Sequence, residues 1–269
     1  MKFQIPHLPA RDARRAARGG FSPRPGSAFT MIEVAICLAI IGFALVSILL
    51  VLPLGMNTQR DNREETIVNQ DATVLLEAIR TGARGADDLM NYVYAIVITN
   101  AVGGVGYLNQ PLADQMNFSK AFYPPWVAWS TLTSGSNIVG LLGTPRTLGN
   151  GAITNYVHAF VRAMSGGAAD KPPQGNPTLV GDSFAYRLLV VNAPVPVGAN
   201  TNDAFARQLA GNQQELRLTF RWPLLPNGAV ADHGSSPQTF RATIAGQLVQ
   251  DTNSTNLYFY HPQTFVHVP

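Results

Sequence analysis

The sequence predicts an α+β chain: a long N-terminal helix with a transmembrane half and an amphipathic half, then a C-terminal antiparallel β-sheet head with long loops. Three observations predict it. Residues 34–52 hold no charged or amide side chain. Residues 57–80 carry apolar side chains at helical spacing. From residue 82 onward, short apolar and alternating runs are separated by turn residues.

Residues 1–28 are rich in Arg, Pro, Gly and Ala and show no apolar periodicity, so they read as a basic cytoplasmic leader without structure. The leader holds six of the 19 basic residues (Lys2, Arg11, Arg14, Arg15, Arg18, Arg24) and one of the 16 acidic ones, Asp12, a net charge of +5. The remainder has 13 basic and 15 acidic residues, a net of −2. The chain's basic excess therefore sits in a segment expected to be removed or to stay in the cytoplasm, and nucleic-acid binding has no support. Arg14-Arg15 stands too far ahead of too long an apolar run for a twin-arginine export signal. Cys37 is the only cysteine, which excludes an intrachain disulfide.

The charge-free run 34–52 rises about 28 Å as a helix, close to the roughly 30 Å hydrocarbon core of a bilayer. With Leu54 it sets a transmembrane segment of 34–54 inside a helix of 29–81. No A-x-A cleavage site follows the run, so a removable secretory signal is disfavoured. By the positive-inside rule the leader stays in the cytoplasm and the head, 82–269, is exported. Past the span, Val68, Ala72, Leu75 and Ile79 draw one apolar stripe, Arg60 and Glu64 form an i, i+4 pair, and Gly82 with Gly85 ends the helix.

In the head, 215–222 alternates with Leu216, Leu218, Phe220 and Trp222 on one face. Residues 239–244 alternate likewise, which predicts two half-buried antiparallel strands joined through Pro223, Pro226, Asn227 and Gly228. Further strands are expected at 92–99, 156–162, 185–191 and 257–261. Residues 202–210 suggest a short helix with Asn202 as N-cap and Gly211 after its end. Segments 100–150 and 163–182 read as long loops, with Gly103 to Gly106 as a turn.

Chemical motifs are sparse. His158, His233, His261 and His267 lack paired ligand spacing, Asp87-Asp88 and Asp170 lack the spacing of a calcium loop, and no G-x-S-x-G nucleophile signature occurs. The reading is a non-enzyme with no cofactor and no metal. Tyr123-Pro124-Pro125-Trp126 with Trp129 reads as the roof of a small core, with a partner anchor as the alternative.

The junction before the span carries the most specific signal: Gly26-Ser27-Ala28-Phe29-Thr30-Met31-Ile32-Glu33-Val34. It resembles the prepilin cleavage and methylation site of type IV pilins and of the pseudopilins of type II secretion systems. The N-terminus and chain length also resemble the pseudopilin-like cassette proteins labelled Verru_Chthon. The resemblance implies that prepilin peptidase cuts between Ala28 and Phe29 and that Phe29 is N-methylated. It further implies that Glu33, fifth from the new terminus, pairs with a neighbouring subunit's amine, with Thr30 part of the same filament-assembly motif. Ala28 stands where the family commonly has Gly; a cut after Gly26 would move Glu33 out of register, so the site is set after Ala28.

On residue chemistry alone, a carboxylate beside an apolar helix costs about 2.5–3.5 kcal/mol if carried to the bilayer centre, so Glu33 needs a partner or an interfacial position. The expected function is that of a minor pilin or pseudopilin. It is a structural subunit of the bacterial inner membrane, single-pass, with a periplasmic or extracellular head. Its implied partners are other pilins or pseudopilins, the prepilin peptidase/methyltransferase and the inner-membrane assembly platform. The alternative is a signal-anchored periplasmic binding or sensor domain without filament assembly.

Overall fold

The computed structural model describes residues 29–82, 87–115, 118–148, 151–165, 184–195, 203–225, 228–230, 237–254 and 256–267. The leader, Ala28, Gly85, Asp170, Asn202, His233 and most of 163–182 lie outside these. The chain divides into two compact units, Met1–Gly55 and Met56–Pro269.

Helix α1, Met31–Thr81, contributes to both units. In the first, its side chains from Met31 through Leu52 are all exposed, with a mean hydropathy of 3.1 over the most apolar window. Past Glu33, Ser47 carries the only hydroxyl of that run and returns its hydrogen to the Phe43 carbonyl at 2.8 Å, so residues 34–52 present almost nothing that needs water. Pro53 lies inside the helix.

In the second unit, the predicted stripe of α1 is the buried one. Val68, Ala72 and Leu75 are wholly buried and Ile79 nearly so. They share a core with Ile96 and Ile98, Val157, Ala159 and Val161, Leu188 and Val190, and Leu216, Leu218 and Phe220. Arg60 and Glu64 pair at 2.7 Å as their spacing predicts. Gly82 ends the helix at φ +66°, and a Cβ there would stand 2.9 Å from the Tyr260 carbonyl oxygen, so only glycine makes this stop without strain.

The strands are β1 (Val93–Thr99), β2 (Gly104–Leu108), β3 (Val127–Thr131), β4 (Thr147–Leu148), β5 (Ile153–Thr154), β6 (Tyr156–Arg162), β7 (Ala185–Pro194), β8 (Gln213–Arg221), β9 (Gln238–Ala245), β10 (Gln247–Gln250) and β11 (Tyr258–His261). Seven form one sheet in the order β3-β2-β1-β6-β7-β8-β9. All its pairs are antiparallel except β2 with β3, which is parallel. The expectation of a purely antiparallel head is corrected at that edge. Parallel neighbours need a crossover, and residues 109–126, which include helix α2 (Gln110–Gln115), supply it.

Segment 100–150 is accordingly not a long loop. It holds β2, α2, β3, helix α3 (Gly135–Leu142) and β4. Gly103 closes a turn by accepting from Asn100 N–H at 2.9 Å, but Gly104 and Gly106 are strand residues. Their lack of a side chain has a use: a Cβ on Gly106 would lie 2.6 Å from the Trp129 ring. The short helix near 202–210 runs Ala204–Asn212 (α4), and its N-cap is Asp203, whose carboxylate accepts from Phe205 N–H at 2.9 Å. Gly211 therefore lies within that helix rather than after it.

The sheet face opposite α1 is divided. At the β3-β2-β1-β6 end, Phe118, Tyr123 and Trp129 close over Phe160, with Phe118 and Phe160 ring centres 5.1 Å apart. Tyr123 and Trp129 thus roof a small aromatic core, whereas Trp126 is 54 % exposed. At the β6–β9 end the same face is polar, and His158 lies on it beside Arg187 of β7 and Arg221 of β8.

Burial first, then those two guanidinium groups, pushes the His158 imidazole down from its usual 6.5 to about 4. A histidine whose folded value is depressed contributes stability above its unfolded value, and that contribution is lost as pH falls. A soluble fragment beginning near Met56 should lose on the order of 2–3 kcal/mol between pH 6.5 and about 4 through this residue, read as the difference in urea midpoints between the parent and His158→Gln. Parallel pH profiles for the two proteins would show that His158 is not held neutral.

Candidate functional site

The residues singled out by sequence meet at the start of α1. Phe29 and Thr30 precede the helix, and Phe29 is 80 % exposed. Thr30 N–H donates to Glu33 Oε2 at 3.0 Å and its hydroxyl donates to the same oxygen at 2.9 Å, while Glu33 N–H donates to Thr30 Oγ1 at 3.3 Å. This is a reciprocal capping box. The first helical turn leaves backbone N–H groups without partners, and here two of them are satisfied by the two side chains of one T-x-x-E motif. The arrangement also sets a carboxylate at the positive end of the helix.

The structure therefore brings Thr30 and Glu33 together and leaves Phe29 exposed, while Ala28 lies outside the described residues. The sequence reading assigned Glu33 by its charge and its distance from Phe29. It missed the cap, although threonine followed three residues later by glutamate ahead of an apolar run is a recognisable signal for one.

Comparison with family models, with curated proteins and with solved structures found no match. What can be said of the chain comes from its own geometry.

That geometry includes a second constellation, where α1 meets the sheet in the unit from Met56 onward. Asp71 is wholly buried on the same helical face as Val68, Ala72 and Leu75. Its carboxylate accepts from Met164 N–H at 2.9 Å, from the Tyr186 hydroxyl at 3.0 Å and from the Ser165 hydroxyl. Ser165 also donates to the Ile67 carbonyl at 3.3 Å. Burial raises the Asp71 carboxyl above the usual carboxylate range, against the pull of these donors. Burial likewise drives the Tyr186 hydroxyl far up, so it stays a donor.

Buried amides make further ties. Asn192 donates to the Gly143 carbonyl at 2.8 Å and accepts from the Tyr260 hydroxyl. Asn212 holds residue 266 from both sides, accepting from Val266 N–H at 2.6 Å and donating to its carbonyl at 2.7 Å. These contacts anchor the chain around β10 and β11. A groove of about 1060 Å³, lined in part by Glu77, Ser136, Asp251 and His261, opens beside that hairpin. Among the described residues, no group of three or more His, Cys, Asp and Glu is placed to hold a metal ion. Cys37 is a free thiol on the exposed apolar helix.

What this arrangement can do is mechanical. The capping box fixes where α1 begins, and the Asp71 cluster ties the helix to strands distant in sequence. Asp71→Ala should cost the fragment from Met56 about 2–4 kcal/mol in urea denaturation, because the buried Tyr186 hydroxyl and the Met164 N–H lose their acceptor, while Ser165 keeps the Ile67 carbonyl. Asp71→Asn, which keeps an acceptor of the same size, should recover part of that loss. Equal stability of parent and Asp71→Ala would show that the cluster carries no weight.

Proposed function

We infer that the chain is a minor pilin or pseudopilin, a structural subunit that is cut before Phe29, N-methylated there, and assembled with related subunits in a bacterial inner-membrane system. One observation carries the reading. An exposed Phe29 stands directly ahead of a Thr30–Glu33 cap, and that cap opens a helix whose residues 34–52 are uncovered and, but for Ser47, apolar. A helix apolar all round is stable in lipid or among like helices, not in water. By length and hydropathy it is able to cross a membrane.

In this reading the chemistry is done to the protein rather than by it. Removing residues 1–28 takes away the +5 leader and creates a cationic amine at Phe29, four residues from the Glu33 carboxylate. In a staggered array of such helices, each carboxylate neutralises a neighbour's amine. A slipped register leaves both charges unmatched in a poorly solvated setting, which selects the axial step.

The capping box also favours a second reading. It gives Glu33 donors within its own chain, which is all that a plain membrane anchor carrying a periplasmic binding or sensor head requires.

Substitutions at two positions separate the readings. Ala28→Gly should be processed at least as well as the parent, and Ala28→Leu poorly. Glu33→Gln retains a cap acceptor but has no charge, whereas Glu33→Ala loses both. Under the pilin reading both variants insert normally, and both lose cross-linking to partner subunits. Normal partner cross-linking by Glu33→Gln would reduce the residue to a helix cap and favour the anchored domain.

A further inference from the structure

The polar half of the second sheet face carries charge in an ordered pattern. Along β7 and β8, alternate residues face α1, so Arg187, Leu189 and Val191 share the other face with Glu215, Arg217, Thr219 and Arg221. Thr239, Arg241 and Thr243 of β9 continue it. In the register of the sheet Arg187 stands directly opposite Arg221, and Arg217 directly opposite Arg241. Between the two arginine pairs Thr219 meets Thr239, their hydroxyl oxygens 3.0 Å apart.

Like charges directly opposite each other on a sheet are destabilising. The only carboxylate among the described residues of these strands is Glu215, 2.8 Å from Arg217 Nε and 4.0 Å from Arg241 Nε. No carboxylate among the described residues pairs with Arg187 or Arg221. Among the described residues four guanidinium groups therefore share this face with one acid, Arg221 and Arg241 exposed and Arg187 half-buried.

We propose that this face binds an extended acidic peptide segment of a partner protein, with carboxylates four residues apart. Arg217 and Arg221 are four residues apart on one strand, so the two arginine pairs are about 13 Å apart. An extended peptide lying along β8 has the same rise per residue. Its side chains at i and i+4 point to the same side and reach both pairs, while the residue between them lies over Thr219 and Thr239. Guanidinium forks in pairs suit carboxylates held from two sides.

Two other anionic partners fit less well. Single-stranded nucleic acid binds through aromatic platforms as well as charge, and the ring of Tyr156 at this face is already covered by the Arg146 guanidinium at 4.0 Å. A lipid surface calls for exposed apolar side chains beside the cations, whereas Leu189 and Val191 are only partly exposed.

The test uses the full chain seated in phosphatidylcholine nanodiscs at low salt, so that α1 is already in lipid, and three probes: fluorescent Thr/Ser peptides with two glutamates, oligothymidylate, and phosphatidylglycerol vesicles. A peptide with its glutamates four apart should bind about tenfold more tightly than one with them three apart, which places them on opposite sides of an extended chain. Joint Arg221→Gln and Arg241→Gln substitution should abolish that preference without lowering the melting temperature, because each removes one member of a like-charge pair. Glu215→Gln, which removes the competing acid, should tighten binding severalfold and so tests the site without any loss of arginine. Equal affinity for the two peptides overturns the proposal, as does a preference for oligothymidylate or for the vesicles, or an unchanged Glu215→Gln. The result is independent of whether the chain is cleaved before Phe29.

Discussion

The buried carboxylate of Asp71 is the constraint on which the head depends. Its neighbours Val68, Ala72, Leu75 and Ile79 supply apolar area, which is favourable in many orientations because the hydrophobic effect has no direction. Asp71 is selective. Its oxygens are satisfied only when Met164 N–H, Ser165 and Tyr186 all reach it, so one rotation and one axial position of the helix are allowed. A carboxylate left unpaired at that depth would cost several kcal/mol, which penalises every alternative docking of the same apolar stripe. The stripe supplies the attraction, and Asp71 supplies the register.

A different physical rule governs the other part of α1. Around residues 31–52 there is no stripe, because nearly every position is apolar and every side chain is uncovered. Such a surface is tolerated where the surroundings are hydrocarbon. The same secondary structure thus serves two environments, and the change from uniform apolarity to a single buried face is written in the spacing of side chains. Charge follows the same division: the basic excess lies ahead of the apolar run, and the residues after it are close to neutral.

The sequence was most legible where one periodicity ruled. The α1 stripe, the Arg60–Glu64 pair, the stop at Gly82 and strand 156–162 follow from spacing alone. It was least legible across 100–150, where glycines suggested loop. Gly104 and Gly106 sit in a strand because the Trp126 and Trp129 rings occupy the space their side chains would take, a fact that depends on a strand more than twenty residues later. The parallel β2–β3 pair was hidden for the same reason, since parallel partners are joined by no local turn. Asp71 was passed over because a polar residue within an apolar stripe looks like noise until its three donors, all more than ninety residues away, are known. At the N-terminal junction the residues were legible but one of their relations was not: Thr30 and Glu33 were read for charge and order, and their reciprocal hydrogen bonds show a second role.

Under the pilin reading, the chain becomes a filament subunit by losing its leader at the cap of α1. The most direct measurement is the N-terminal sequence and intact mass of the protein extracted from membranes of cells that carry a prepilin peptidase. The expected chain begins at an N-methylated Phe29 and lacks the mass of residues 1–28. A chain that still begins at Met1, in cells where another prepilin is processed normally, would contradict it.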